Sequence, residues 1–152
     1  MKYILLDFDG VLTSSSYTWL CHMEKRPANL FGMDWFDPRC LDALRTLVER
    51  TGAKIIVSSS WRDLSSEQLK WLWEQVPMPG EFCGTTPIWI LTKKGAIKHW
   101  INKHPDDRWV ILDDIDLGFP NQVRTDPHTG LTEADVQQAI KVLNADEENP
   151  LS

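Results

Sequence analysis

Three short apolar runs in this chain end abruptly on oxygen-bearing polar residues, and this pattern does most to narrow the folds open to it. Tyr3-Ile4-Leu5-Leu6 meets Asp7-Phe8-Asp9-Gly10, Ile55-Ile56-Val57 meets Ser58-Ser59-Ser60, and Trp109-Val110-Ile111-Leu112 meets Asp113-Asp114. Short apolar runs without alternation suit strands buried on both faces, as in a parallel sheet. Helical patterns separate them. Asp37 is placed to cap a helix with Pro38 at its first position, Leu41, Leu44, Leu47 and Val48 form its inward stripe, and Gly52 stops it. Ser65-Ser66-Glu67-Gln68 is a capping box opening a helix with Leu69, Leu72, Trp73 and Val76 on one face, and Pro77–Gly80 breaks it. Ile97, Trp100 and Ile101 mark another helix. A last one follows the Thr132-Glu133-Ala134-Asp135 cap, with Val136, Ala139, Ile140 and Leu143 inward.

Weaker signals predict a third strand over Glu81–Gly84, a further extended piece over Ile88–Leu91 and a last strand over Gln122–Thr125. Thr13–Trp35 shows no clean period and reads as a long loop or flap. Strands alternating with helices imply an α/β fold, a parallel sheet with helices on both faces. The 152 residues suit one domain, expected over 1–145, with 146–152 a frayed tail.

A net charge of −6 excludes a global basic field that would draw in nucleic acid. Cys21, Cys40 and Cys83 form no CxxC pair, so neither a disulfide framework nor a zinc ribbon is expected, and free thiols suit a reducing cytoplasm. His22, His99, His104 and His128 lack metal-ligand spacing. No leader is expected before the first strand, and no apolar run approaches the length of a membrane span.

In an open parallel sheet, ligands bind beyond the carboxyl ends of the strands. The three strand ends place Asp7, Asp9, Asp113 and Asp114 with Ser58 and Ser59 on one edge. A single acidic strand end is ordinarily a cap or a turn. Three together concentrate repulsion that a fold avoids unless a cation or shared protons relieve it. Oxygen-only donors point to a hard ion, magnesium above all, which accepts few carboxylates and keeps room for waters and a phosphate oxygen.

These residues carry a resemblance. Asp7-Phe8-Asp9-Gly10-Val11-Leu12 resembles the first motif of the haloacid-dehalogenase-like (HAD) phosphohydrolases, Ile55-Ile56-Val57-Ser58 the second, the Lys93/Lys94 region the third, and Val110-Ile111-Leu112-Asp113-Asp114 the fourth. They occur in the family's order and span roughly residues 3 to 143. Within the superfamily, Ser58–Arg62 with Asp126-Pro127 and Thr129-Gly130-Leu131-Thr132 is similar to the small group found in RNA-repair proteins. The resemblance implies a single Rossmann-like sheet and a phosphatase working through an aspartyl-phosphate on Asp7. Asp9 would protonate the leaving oxygen, activate water and lend its carbonyl to Mg2+, with Asp7. Ser58 and Ser59 would hold phosphate oxygens. Lys93 or Lys94 would neutralise the phosphoryl charge, with Lys93 preferred. Asp113 and Asp114 would complete the magnesium shell, Asp114 as the preferred direct ligand. Arg62 would contact substrate phosphate or form a salt bridge to the acidic cluster.

The 23 residues of Thr13–Trp35 are too few for a folded cap, so an open site is expected. Members without caps act on large substrates, or on small ones closed in by partner subunits, and the likeness to RNA-repair proteins favours a nucleotide or nucleic-acid terminal phosphate. Lys25 and Arg26, with the aromatic faces of Tyr17, Trp19, Phe31 and Trp35, would suit such a ligand. Trp19, Trp35 and Trp71 are expected either to stack on a base or sugar or to be part of the core, whereas Trp73, Trp100 and Trp109 read as core. A receiver-type signalling domain carries its acidic pair after the first strand, but here Asp113-Asp114 follows a late one. A non-catalytic phosphate- or nucleic-acid-end-binding module of the same fold is the remaining alternative.

Overall fold

The computed structural model of the protein describes residues 1–26, 36–58, 65–76 and 78–145. Ser59, Arg62, Phe31, Trp35 and the 146–152 tail therefore lie outside the described residues. The elements run β1 (Lys2–Leu6), α1 (Ser15–Met23), α2 (Pro38–Thr51), β2 (Lys54–Val57), α3 (Ser66–Gln75), β3 (Phe82–Thr85), α4 (Lys93–Asn102), β4 (Arg108–Asp113), β5 (Gln122–Arg124) and α5 (Glu133–Leu143). The strands form one sheet in the order β3-β2-β1-β4-β5, every pair parallel. The chain builds outward from β1 to β3, then returns to lay β4 against the other side of β1. That reversal makes the gap beyond β1 and β4 the switch point where a doubly wound sheet opens a crevice.

Alternation along the strands divides the core in two. Ile4, Leu6, Ile55, Val57, Val110 and Leu112 face one layer, with Leu44 and Leu47 of α2, Leu69 of α3 and Val136 and Leu143 of α5. Leu5, Ile56 and Ile111 face the other, under Ile97 and Trp100 of α4. Helices thus cover both faces. Each fully buried leucine contributes about 1.5–3 kcal/mol. The caps sit where local chemistry puts them. The Asp37 carboxylate accepts from the Arg39 amide, Gly52 is left-handed at φ 70°, and complete capping boxes open α3 at Ser65/Gln68 and α5 at Thr132/Asp135.

Two expectations are corrected. The stretch read as a loop over Thr13–Trp35 contains α1, nine residues opened by Ser14, whose hydroxyl accepts from the Tyr17 amide. Cys21 is the only buried residue of that helix, so it carries no apolar stripe for a periodicity argument to find. Nor is Ile88–Leu91 an extended piece: it runs through turns and bends. Sheet pairing ends where the Thr86 amide donates to the Val57 carbonyl; Pro87 has no N–H to give, and the chain turns, leaving Ile88, Trp89 and Leu91 exposed. No helix among the described residues is long and apolar enough to cross a membrane.

Candidate active site

Register brings the polar strand ends into line. Leu6 pairs with Val57 on one side and with Leu112 on the other, so Asp7, Ser58 and Asp113 stand level at the carboxyl ends of three adjacent strands. Alternation places them on the side of Leu5, Ile56 and Ile111, the side covered by α4. That helix begins at Lys93, one residue after its cap Thr92. The Lys93 ammonium consequently lies 2.9 Å from Oδ2 of Asp113 and 3.4 Å from Oδ2 of Asp7. Burial works against this ammonium, but the two carboxylates outweigh it and hold its pKa above the ordinary lysine range. Lys94, a hundred degrees further round the helix, is exposed.

Asp113 is fully buried, and its second oxygen, Oδ1, accepts from the Ile115 amide at 3.0 Å. Asp114 joins the cluster from the next position. Oxygens of Asp7, Asp113 and Asp114 all lie within 4.8 Å of one another. Burial, and then the neighbouring Asp113 carboxylate, push the Asp114 carboxyl above its usual range. Among the described residues, these three carboxylates and the one ammonium sum to −2 in a largely buried place, a charge that a divalent cation would offset. Oxygens around a magnesium ion stand roughly 3–4.2 Å apart, the same scale as the span of this cluster. The all-oxygen donor set suits that hard ion and gives zinc none of its preferred nitrogen or sulfur ligands. No imidazole or thiolate belongs to the cluster.

Beside the carboxylates, the Ser58 hydroxyl is buried with no hydrogen-bond partner among the described residues, and so is that of Thr86, level with it just past β3. A buried orphan hydroxyl costs about 1–3 kcal/mol, which a ligand oxygen would relieve. The turn after β1 is held from several directions. Gly10 has φ 80°, its amide donates to Thr13 Oγ1 at 3.0 Å, and its carbonyl accepts from Thr125 Oγ1 at 2.7 Å. The Asp126–Gly130 turn closes over the same loop: Leu131 N–H donates to the Val11 carbonyl and Ser15 N–H to that of Pro127. Thr86 and Thr125 were not singled out from the sequence. Both follow short strands, but single threonines at such places carry no signal of their own.

Asp9 is exposed and lines, with Asp114, an open groove of about 470 Å3. The other wall is α1, through Ser15, Thr18, Trp19 and His22. Lys25 and Arg26 do not line it. Lys25 is exposed just past the helix, and the Arg26 guanidinium donates to the Tyr17 hydroxyl at 2.7 Å, on the side of α1 turned away from Trp19. Trp71 is partly exposed on α3, and Trp73 packs against Phe8 and Phe82. Among the histidines, His99 contacts Trp89, His104 stacks on Trp100 and His128 bonds Ser15. Asp116 accepts from the Gly118 amide and so serves as a turn cap. A larger cleft between α2 and α5 contains none of the clustered carboxylates.

Comparison with curated proteins finds no match, and neither does comparison with solved structures. The family model described as the HAD domain in Swiss Army Knife RNA repair proteins matches residues 3–136. With its 3-2-1-4-5 parallel sheet and an acidic cluster at the switch point, the chain belongs to that family of haloacid-dehalogenase-like domains.

Proposed function

We propose that this chain is a magnesium-dependent phosphate-monoester hydrolase that forms an aspartyl-phosphate on Asp7 and acts on a nucleotide or nucleic-acid terminal phosphate. The observation that carries the reading is the convergence of Asp7, Asp113 and Asp114 within 4.8 Å, with the Lys93 ammonium bridging the first two. A merely structural acidic turn would not need this set, and a receiver, which uses a similar one, carries its acidic pair after the first strand, whereas Asp113-Asp114 ends β4. Membership of a domain family from RNA-repair proteins supports the substrate class.

The Asp7 carboxylate attacks phosphorus, the P–O bond to the leaving alcohol breaks, and Asp9 hands its proton to that oxygen. Asp9, now a carboxylate, takes a proton from water, which attacks the same phosphorus; inorganic phosphate leaves and Asp7 is regenerated. Lys93 offsets the charge on the phosphoryl oxygens and on Asp7, while Ser58, with Ser59 and Arg62 beside it in the chain, binds phosphate oxygens. Asp7, Asp113 and Asp114, with the Asp9 carbonyl, would hold the magnesium ion, whose charge lowers the repulsion between nucleophile and phosphate.

The decisive assay follows hydrolysis of a generic aryl phosphate and looks for phosphate on Asp7 by mass spectrometry. Activity is expected to need magnesium, to stop with chelator and to vanish in Asp7→Asn. Asp9→Asn is expected to slow turnover by ~10²–10⁴-fold. Near-normal turnover of Asp7→Asn would move the nucleophile elsewhere. Binding of phosphate without any turnover in the unmutated protein would leave the non-catalytic end-binding module as the function.

A further inference from the structure

The phosphate reading leaves one wall of the site unexplained. α1 spans only nine residues and buries a single one of them, so it contributes little to the core. Yet its start is firmly held: Ser14 donates to Asp37 at 2.8 Å, and the Ser15 and Ser16 amides donate to the carbonyls of Pro127 and His128. Positions 15, 18, 19 and 22 fall on one face by helical spacing, and Ser15, Thr18, Trp19 and His22 are the residues that line the groove with Asp9 and Asp114. Trp19 is 64% exposed there, so packing does not account for the indole.

We infer that this face of α1 is a base-binding subsite: Trp19 stacks on the nucleobase of the nucleotide whose phosphate lies at Asp7, with Thr18 and His22 offering hydrogen bonds to its edge or sugar. The inference rests on the phosphatase reading and specifies the part of the substrate that leaves. A leaving group departs on the side of Asp9, because that residue protonates it, and the groove opens on that side. A flat indole beside an imidazole and hydroxyls matches a flat ring with a polar rim. The acidic net charge of the chain favours recognition of the terminal nucleotide through its base over a long phosphate track.

Adenosine 5′-monophosphate and ribose 5-phosphate differ only by the base and so isolate the subsite. Trp19→Ala is expected to raise KM for the nucleotide by at least about fivefold and to leave ribose 5-phosphate hydrolysis unchanged, with Trp19→Phe retaining most of the nucleotide preference. Equal effects on both substrates, or none on either, overturn the subsite. An equal loss on O-phosphotyrosine would assign the ring to an aryl phosphate and overturn the nucleobase. Calorimetry of adenosine 5′-monophosphate binding to Asp7→Asn protein gives a reading independent of turnover. If the unmutated protein hydrolyses nothing, the phosphatase reading fails, while weaker nucleotide binding on adding Trp19→Ala still supports the subsite and unchanged binding refutes it.

Discussion

Gly10 shows how closely single residues constrain this site. Its φ of 80° lies where an L side chain costs about 1–2 kcal/mol. A Cβ there would also fall 2.5 Å from Oδ2 of Asp114, a cluster carboxylate. Gly10→Ala is therefore expected to lower stability by about 1–2 kcal/mol in urea unfolding. The same substitution should weaken magnesium binding in calorimetry by tenfold or so, since Asp114 must swing away. An alanine variant with unchanged magnesium affinity would show that Asp114 is not needed as a ligand in this position. The glycine is legible in the sequence as a sharp turn after Asp9. Its partner is not, because Asp114 lies far away in the chain and meets it only through the pairing of β1 with β4.

At the scale of elements, the caps of α1 and α2 are tied together. Ser14 accepts from the Tyr17 amide and donates to Asp37 Oδ2, and Asp37 itself caps α2; both residues are almost fully buried. Ser14→Ala would uncap α1 and remove a donor from a buried carboxylate in one step. Its cost is expected to be about 1–3 kcal/mol, more than loss of an exposed cap such as Ser65. Chemical denaturation of Ser14→Ala and Ser65→Ala side by side measures the difference, and equal costs would mean that the Ser14–Asp37 bond adds nothing. The two helix starts differ in how far the sequence shows them. Asp37-Pro38 precedes an apolar stripe and Ser65 a capping box, whereas Ser14 opens a helix whose patterned face is turned to the groove.

Across the whole molecule, the acidic cluster sets stability against function. Carboxylates crowded at the switch point raise the free energy of the metal-free fold, and Asp114, partly buried beside Asp113, contributes to it. Asp114→Asn is thus expected to raise the thermal midpoint in chelator. Magnesium should stabilise the unmutated protein, by about 2.7 kcal/mol at a hundredfold excess over Kd, and stabilise the variant far less. A variant less stable than the parent in chelator, or equally stabilised by magnesium, would contradict the placement of the ion at this cluster. Thermal scans with and without the metal read both effects.

The central strands, the caps of α2, α3 and α5 and the polar strand ends were legible in the sequence because each rests on neighbours within a few residues: the apolar runs before Asp7, Ser58 and Asp113, Pro38 after Asp37, Gln68 after Ser65. Parallel strands of matched length then force their ends to one edge, so Asp7, Ser58 and Asp113 meet with little more information than the order of elements. Tertiary structure alone decided the rest. The starting point of α4 brings Lys93 and not Lys94 to the carboxylates, since one residue is a hundred degrees of helix. Thr125 reaches Gly10 and Thr86 comes level with Ser58 through pairings between distant strands. α1 escaped because hydrophobic periodicity reports burial in a core, and the ordered face of this helix is directed instead at the groove beside Asp9 and Asp114.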